Sequence, residues 1–212
     1  QGLPLDRDWF WGNRFFAVPF FGQNSSVIQV LASEDSTRVY QNCAVVAVLK
    51  KGESWRNIFG VATMIYADKP VAVSQLARGV LCSGASQSGD PVMTNLLPEG
   101  ISGRKAVVKV PKRNSNGFSF SKNTLTLIAK AGESDNIRLN GVFIDNFLHV
   151  PIASSPWEYT RIQVMPDSTY HLDADATDFQ AFSHGFDYAN GYANWVSFDR
   201  MVLDTMIMDV SF

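Results

Sequence analysis

The feature that most constrains the fold of this chain is the alternation of apolar and polar residues along most of its length. Stretches such as VIQVLAS (27–33), VAVSQLA (71–77) and TLTLIAK (124–130) have the period of two that is typical of a strand with one buried face. Helical periodicity is nearly absent. Turn-forming residues separate the stretches at short intervals, which favours an antiparallel sandwich or barrel over a parallel α/β sheet. The sequence therefore predicts an all-β fold.

The two halves of the chain carry the same features in the same order. The segment 27–42 matches 125–140, sixteen residues against sixteen, and Asn42-Cys43 falls where Asn140-Gly141 falls. Trp55 is matched to Trp157, and ADKP (67–70) to ADAT (174–177). This order indicates a divergent internal repeat. We expect two similar antiparallel β-sandwich-like lobes, 1–94 with a connecting loop at 80–94, and 95–212 with a C-terminal strand.

Asn140-Gly141 lies between NIRL and VFID and is the best local hairpin signal in the chain. The pair supplies the two positive-φ residues that a tight type I′ turn requires.

Length and composition exclude several classes of protein. The 212 residues suffice for one large domain or two small ones, with 46% hydrophobic residues. No apolar run approaches the roughly 18 residues of a membrane-spanning helix, so we expect no membrane insertion. The chain begins at Gln1, and we expect it to be a mature or excised piece of a longer protein. No nucleic-acid motif is present, so nucleic acid is not an expected partner.

The net charge of −2 hides two blocks of opposite sign. Residues 101–130 carry seven basic residues and no acid, whereas residues 164–212 carry eight Asp and one Arg. In one interpretation the blocks face each other across one fold or lie on separate solvated faces. In the other, the first block is a basic interaction face for anionic glycans or an acidic partner. Its candidate residues are Arg104, Lys105, Lys109, Lys112 and Arg113.

Cys43 and Cys82 are the two cysteines of the chain. A disulfide between them would contribute roughly 3–4 kcal/mol on the loop-entropy argument; the alternative is two buried thiols. Asn24-Ser25-Ser26 is an acceptor sequence for N-glycosylation. Both features favour an extracellular, oxidising location and predict a glycoprotein.

No set of residues predicts catalysis or a cofactor. His149, His171 and His184 lack zinc-site spacing with each other or with cysteine. GASQSG (84–89) has no lysine and no following helix, so it is not a phosphate loop. Four carboxylates lie close together along the chain: Asp167, Asp173, Asp175 and Asp178. They could bind calcium, but they lack the residue pattern of a helix–loop–helix calcium site. We therefore predict no catalytic residue, no metal site and no cofactor.

The segment DWFWGNRFFAVPFF (8–21) is rich in aromatic residues. Such residues anchor interfaces, but core packing is their more common role and the one expected here.

Several of these stretches together resemble a known family. Trp11-Gly12, Val18-Pro19, Ala32 to Val39, Ala67 to Val73 and Gly89 to Pro98 match the strand motifs of the N-terminal domain of IgG Fc-binding proteins, which are large secreted, mucin-associated molecules. The second half repeats the theme through Gly103, Val110-Pro111, Ala129 to Ile137 and Phe182 to Gly185. Ser102-Gly103 replaces the aromatic-Gly pair, so the second lobe's first strand is expected to pack differently.

The resemblance implies an extracellular, non-enzymatic adhesion module with protein or glycoprotein partners, and self-assembly is compatible with it. It does not imply that immunoglobulin is bound, and it supplies no ligand residues. A carbohydrate-binding module is the alternative, supported if Trp or Tyr lies in a groove with Asp. A glycan-active enzyme on a β scaffold is the third reading and requires two carboxylates in a cleft.

Overall fold

The computed structural model describes residues 10–79, 91–112, 120, 122–187, 190–198 and 202–203. Within these residues the chain is nearly all strand, with one 3₁₀ turn at Ser134–Asn136 and no α-helix. The prediction of an all-β, antiparallel fold is confirmed. None of the described segments forms a helix with the length and apolar character needed to cross a membrane.

The strands β1–β7 form what we call the first lobe, a single curled seven-stranded sheet. Its long central strand β6 pairs with β1, β2, β3 and β7. The strands are β1 (Trp11–Ala17), β2 (Ser26–Ala32), β3 (Thr37–Gln41), β4 (Ala44–Leu49), β5 (Ser54–Phe59), β6 (Thr63–Ala77) and β7 (Met93–Asn95).

The strands β8–β19 form the second lobe, which has two five-stranded sheets and a short pair. One sheet has the order β13-β14-β10-β16-β17, the other has the order β12-β11-β15-β9-β18, and β8 pairs with β19. The strands are β8 (Ile101–Ser102), β9 (Lys105–Lys109), β10 (Lys122–Lys130), β11 (Ile137–Leu139), β12 (Val142–Phe143), β13 (His149–Pro151), β14 (Trp157–Gln163), β15 (Thr169–Ala174), β16 (Gln180–Asp187), β17 (Asn190–Trp195), β18 (Ser197–Phe198) and β19 (Val202–Leu203).

Strand pairing reproduces the internal repeat. In the first lobe β6 pairs with β1 and β3 through its first half and with β2 through its second half. In the second lobe these roles are divided, because β15 pairs with β9 and β11 whereas β16 pairs with β10. Ala67 lies opposite Val39 as Ala174 lies opposite Ile137. The continuous strand of the first lobe is therefore two strands in two sheets in the second.

The structure corrects the sequence alignment in two places. Val30 lies in the core of the first lobe and Leu127 in the core of the second, whereas Ile128, which the sixteen-residue alignment matches to Val30, lies in a different apolar cluster; β2 and β10 are therefore matched one residue away from that alignment. Trp55 pairs with Val30 and corresponds to Thr160, which pairs with Leu127, so the match of Trp55 to Trp157 is wrong. Two stretches of alternating apolar and polar residues can be aligned at more than one register with similar agreement. The sequence alone therefore did not distinguish between these alignments.

Each lobe has its own apolar core. The core of the first lobe includes Phe15, Ile28, Val30 and Ile65, each with no exposed surface. The core of the second lies between its two sheets and includes Leu125 and Phe179. The predicted core role of the N-terminal aromatic segment is confirmed for its buried Phe residues, Phe15, Phe16 and Phe20.

A third apolar cluster joins the two lobes. Phe16 and Met64 of the first lobe pack against Trp157, Tyr159 and Phe182 of the second. The ring centroids of Phe16 and Trp157 are 4.8 Å apart. The sheet of β10, β14 and β16 is therefore buried on both faces, one in its own core and one against the first lobe. Burial of this many large apolar side chains holds the lobes together.

The hairpin β11–β12 turns through Asn140 and Gly141 with φ of 52° and 82°, as predicted for a type I′ turn. Asn42 and Cys43 occupy the corresponding turn of the first lobe with φ of 48° and 69°. A cysteine at positive φ is unusual because its Cβ crowds the backbone.

A glycine lies near the start of β1 and just before β9 for a steric reason. A Cβ on Gly12 would lie 2.5 Å from the Cβ of Pro98, and one on Gly103 would lie 2.6 Å from the Cδ1 of Phe198. The second lobe thus keeps the close approach of the first with a different partner. This explains why the glycine recurs although the preceding aromatic residue does not.

Candidate interaction surfaces

A row of side chains across four strands of the first lobe forms a half-exposed aromatic surface. Val45, Tyr40, Tyr66 and Arg14 lie on neighbouring strands β4, β3, β6 and β1 in one register row. The rings of Tyr40 and Tyr66 have centroids 5.4 Å apart, and the guanidinium of Arg14 lies 5.9 Å from the Tyr66 ring. Val45 is 56% exposed. We call this row the tyrosine face.

Glu99 fixes one end of the tyrosine face. The Nη1 of Arg14 donates to Glu99 Oε2 at 2.7 Å, and the indole N–H of Trp157 donates to Glu99 Oε1 at 2.8 Å. The carboxylate thus holds Arg14 beside Tyr66 and ties the face to the second lobe. Alternation in the sequence did not identify the face, because pairing of β3 with β6 was required to bring Tyr40 and Tyr66 together.

The corresponding row of the second lobe is charged. Phe143, Arg138, Asp173 and Lys105 lie on β12, β11, β15 and β9 in the same order. Arg138 Nε donates to Asp173 Oδ2 at 2.7 Å, and its Nη2 donates to Asp175 Oδ1 at 2.6 Å. The hydrogen bonds that Arg138 donates to Asp175 and Asp173 hold its pKa above the usual range.

This row forms one wall of a groove of about 600 Å³ on the outer face of β9, β11 and β15. Val107 supplies apolar surface there, and His171 lines the groove beside Val107, its register partner. Phe198 borders the groove, but its ring packs against the core of the second lobe. Val107 is 50% exposed. We call this site the charged groove; its lining residues are Lys105, Ala106, Val107, Arg138, His171, Leu172, Asp173, Ala174, Asp175 and Phe198.

The two charge blocks meet within the molecule. Arg104 Nε lies 2.8 Å from Asp178 Oδ1, and Asp167 lies 3.2 Å from Lys109 and 3.3 Å from Lys112. The lysine hydrogen bonds hold the pKa of Asp167 below its usual range. These pairs confirm the interpretation that the blocks face each other. Lys105 lies opposite Asp173, and Arg113 lies outside the described residues.

The four carboxylates that are close in sequence belong to separate ion pairs and do not form one cluster. Asp167 and Asp178 bind cations of β9 and its flanks, whereas Asp173 and Asp175 bind Arg138. In the described part of the chain, no group of three His, Cys, Asp or Glu residues has the geometry to hold a metal ion.

Cys43 is exposed at the β3–β4 turn, which excludes the alternative of a buried thiol at this position. Cys82 and the GASQSG segment lie outside the described residues, so the disulfide stays a prediction. Asn24 is exposed in the bend before β2. Ser26, the third residue of its acceptor sequence, is buried, and its hydroxyl accepts the Phe20 N–H at 3.2 Å.

His184 is buried between the lobes and not in either surface. The N–H of Phe21 donates to its Nε2 at 2.9 Å, which places the proton of the neutral ring on Nδ1. Burial, with a smaller contribution from the nearby Arg161 charge, lowers the pKa of His184 to about 3. Arg161 in turn donates to the carbonyl of Pro19 and lies 4.9 Å from the ring of Tyr159. These contacts fasten the 19–21 segment to the second lobe.

Comparison with solved structures gives only remote likenesses. A lectin from Pleurotus ostreatus in complex with GalNAc is 11% identical with a TM-score of 0.26, covering 90% of this chain and 77% of the lectin. An anti-sigma factor domain-containing protein from Clostridium clariflavum is 8% identical with a TM-score of 0.20, covering 89% of this chain and 82% of that protein. At scores this low the likenesses carry no argument. No curated protein matches the chain.

Comparison with protein families gives one match that spans most of the chain. The family described as IgGFc binding protein matches residues 4–185, which include the tyrosine face and all the residues of the charged groove except Phe198. It is a family of binding domains that are typically extracellular. The resemblance noted in the strand motifs is thereby confirmed, and the chain belongs to the IgGFc binding protein family.

Proposed function

We propose that this chain is a non-enzymatic interaction module of a larger secreted or cell-surface protein, and that the tyrosine face binds protein or glycoprotein partners. The observation that carries the proposal is the composition of that face. Tyr40, Tyr66 and Arg14 belong to the residue types that dominate binding energy at protein interfaces. The adjoining Val45 and Val48 are 56% and 61% exposed, so apolar surface continues along β4.

The rigidity of the tyrosine face supports the same proposal. Its side chains stand on strands of one sheet, and Glu99 holds Arg14 in place through a 2.7 Å hydrogen bond. Side chains that are already ordered lose less conformational entropy when a partner binds. An open, ordered surface of this kind suits adhesion better than enclosure of a small substrate.

Catalysis has weaker support among the described residues. The carboxylates of the charged groove, Asp173 and Asp175, are both bound to Arg138. Neither is placed as a free general acid or base. Turnover of a glycan or peptide substrate that is lost in Asp173→Asn and Asp175→Asn would contradict the non-enzymatic proposal.

An extracellular location, a Cys43–Cys82 disulfide and glycosylation at Asn24 belong to the same proposal. Alkylation of the unreduced, secreted protein followed by mass spectrometry should leave both cysteines unlabelled and show added hexose mass at Asn24. Labelled cysteines in both positions would remove the disulfide from the proposal. Self-assembly through Lys109, Lys112 and Arg104 has less support, because each of these cations is already paired within the chain.

Binding of the chain to immobilised IgG Fc fragment and to purified mucin, measured by surface plasmon resonance, tests the proposed role. Tyr40→Ala combined with Tyr66→Ala should weaken binding at least about tenfold, since each removes an aromatic contact of the hot-spot type. Met165→Ala, at a 68% exposed position of the second lobe beyond the end of β14 opposite to Trp157, is the control and should bind as the original chain does. Equal binding by all three proteins would contradict a role for the tyrosine face.

A further inference from the structure

We propose that the charged groove is a binding site for a short, electrically neutral oligosaccharide. The proposal rests on the binding role proposed above but concerns a different surface, on the second lobe. No residue of the tyrosine face lines the groove. The two surfaces can therefore be altered separately.

The position of the groove is the first argument. Val107 and His171 correspond to Phe16 and Met64 of the first lobe, since each pair is matched in register on β9–β15 and β1–β6. In the first lobe this position is covered by the second lobe, and both residues are buried in the inter-lobe cluster. In the second lobe Val107 is 50% exposed and His171 is exposed. The same sheet face is thus left open, and polar residues surround it.

The charge balance of the groove is the second argument. Two cations, Lys105 and Arg138, stand beside two carboxylates, Asp173 and Asp175. An anionic ligand would meet the carboxylates, and a cationic one would meet Lys105 and Arg138. Sugar hydroxyls both donate and accept hydrogen bonds, so a neutral sugar satisfies both kinds of group. Hydrogen bonds in which one partner is ionised are stronger than those between two neutral groups.

The order of the polar groups is the third argument. Arg138 is held by Asp173 at 2.7 Å and by both oxygens of Asp175, at 2.6 and 3.2 Å. Asp175 is 82% exposed, so its carboxylate remains accessible from solvent. A set of donors and acceptors fixed before binding costs little to order when a ligand arrives.

Apolar surface and size complete the match. Val107, which is 50% exposed, presents hydrocarbon beside the polar groups, and this suits the C–H face of a pyranose ring. The volume of about 600 Å³ lies within the range of about 300–1,000 Å³ that is usual for small-molecule sites. The groove is therefore large enough for a short oligosaccharide.

Titration of the full chain with cellobiose, lactose and chitotriose, and with sialylated and sulfated lactose, tests the proposal by calorimetry or NMR. At least one neutral sugar should bind, and the anionic derivatives of lactose should bind at least about tenfold more weakly than the best neutral sugar. Binding of none of the neutral sugars at millimolar concentration, or preference for the anionic ones, would overturn the proposal.

Two variants of the charged groove test whether the sugar binds there. Val107→Asp adds a charge to the apolar surface, and Asp175→Ala removes an exposed acceptor; each should weaken binding about tenfold. Thermal unfolding shows whether Val107→Asp is folded. If Val107→Asp does not fold, the affinity of Asp175→Ala alone shows whether the sugar binds in the groove. Unchanged affinity in Asp175→Ala together with a folded, unaffected Val107→Asp would overturn the site. Tyr66→Ala should bind sugar normally, so loss of protein binding alone leaves this inference intact.

Discussion

The same face of the sheet is buried in the first lobe and open in the second. In the first lobe Phe16 and Met64 project from β1 and β6 into the inter-lobe cluster. In the second lobe Val107 and His171 occupy the matching positions and border an open groove. A change from two large apolar residues to a smaller one and a polar one converts a packing face into an accessible one. The two lobes therefore differ in which face of the repeated unit is buried.

The reverse difference exists on the other sheet face. In the second lobe Phe182 and Tyr159 are buried against the first lobe. Their counterparts in the first lobe are Ser74 and Ser54, and the neighbouring Arg56 donates to Gln29 at 2.8 Å on an exposed surface. This face of the first lobe is therefore open where the matching face of the second lobe is packed.

Truncation at the inter-lobe cluster should have the largest effect on stability. Phe16→Ala removes a buried ring that stacks near Trp157, and it should lower the free energy of unfolding by about 3–5 kcal/mol. Val107→Ala at the matching open position is the control and should cost less than about 1 kcal/mol. Urea denaturation monitored by tryptophan fluorescence measures both. Equal losses in the two variants would show that the faces do not differ as described.

Addition of a methyl group at the paired glycines should have the next largest effect. Gly12→Ala and Gly103→Ala each bring a Cβ within 2.6 Å of a neighbouring side chain. Both should cost about 1–3 kcal/mol. Gly100→Ala is a matched control with no atom within 4 Å of the added Cβ. Thermal unfolding should separate the first two variants from the third; a neutral Gly103→Ala would mean that Phe198 moves aside freely.

Acid should loosen the junction between the lobes through His184. The pKa of this side chain is about 3 in the folded chain against an ordinary 6.5, because the ring is buried. Between these values the unfolded chain binds a proton that the folded chain does not. The His184 contribution is therefore complete above about pH 6.5 and is lost as the pH falls, by at most about 1.4 kcal/mol per pH unit.

The groups that face His184 are the rings of Phe20, Phe182 and Phe186 and the charge of Arg161. Stability measured from pH 7 to pH 4 should fall less steeply in His184→Gln than in the original chain. His171→Gln, at an exposed histidine of the open groove, should keep the original slope. The same slope in all three proteins would exclude His184 as the source.

The exposed ion pairs of the second lobe should have the smallest effect. Arg104→Ala breaks the pair with Asp178, and both side chains are substantially exposed. The expected loss is about 0–1 kcal/mol. Arg14→Ala in the first lobe breaks the pair with Glu99, whose carboxylate also accepts the Trp157 N–H, and should cost more. Chemical denaturation at low and high salt measures both differences.

Alternation, turn residues and repetition were sufficient to predict the strands, the antiparallel sheets and the type I′ turn at Asn140-Gly141. They were insufficient for the exact alignment of the lobes, since a one-residue shift between β2 and β10 is needed to match the core residues Val30 and Leu127. The charge blocks were visible in sequence, and their mutual pairing was one of two interpretations.

The two candidate surfaces were not predictable in the same way. Tyr40 and Tyr66 are 26 positions apart, and Arg138 and Asp173 are 35 apart. Their contacts arise from strand order, which sequence periodicity does not specify. An alignment of the two halves, register row by register row, would have pointed to the two surfaces. At these rows the outward-facing residues are aromatic in one lobe and charged in the other.

The unbroken β6 strand gives the two lobes different mechanical properties. In the first lobe its 15 residues run through the whole sheet, so force applied at one end is carried by a continuous ladder to the other. In the second lobe the ladder ends at Ala174 and begins again at Gln180. The groove-bearing sheet can therefore separate from its neighbour without breaking a shared strand. Under shear in an extracellular setting, the first lobe would act as the stiff element and the second as the one that yields.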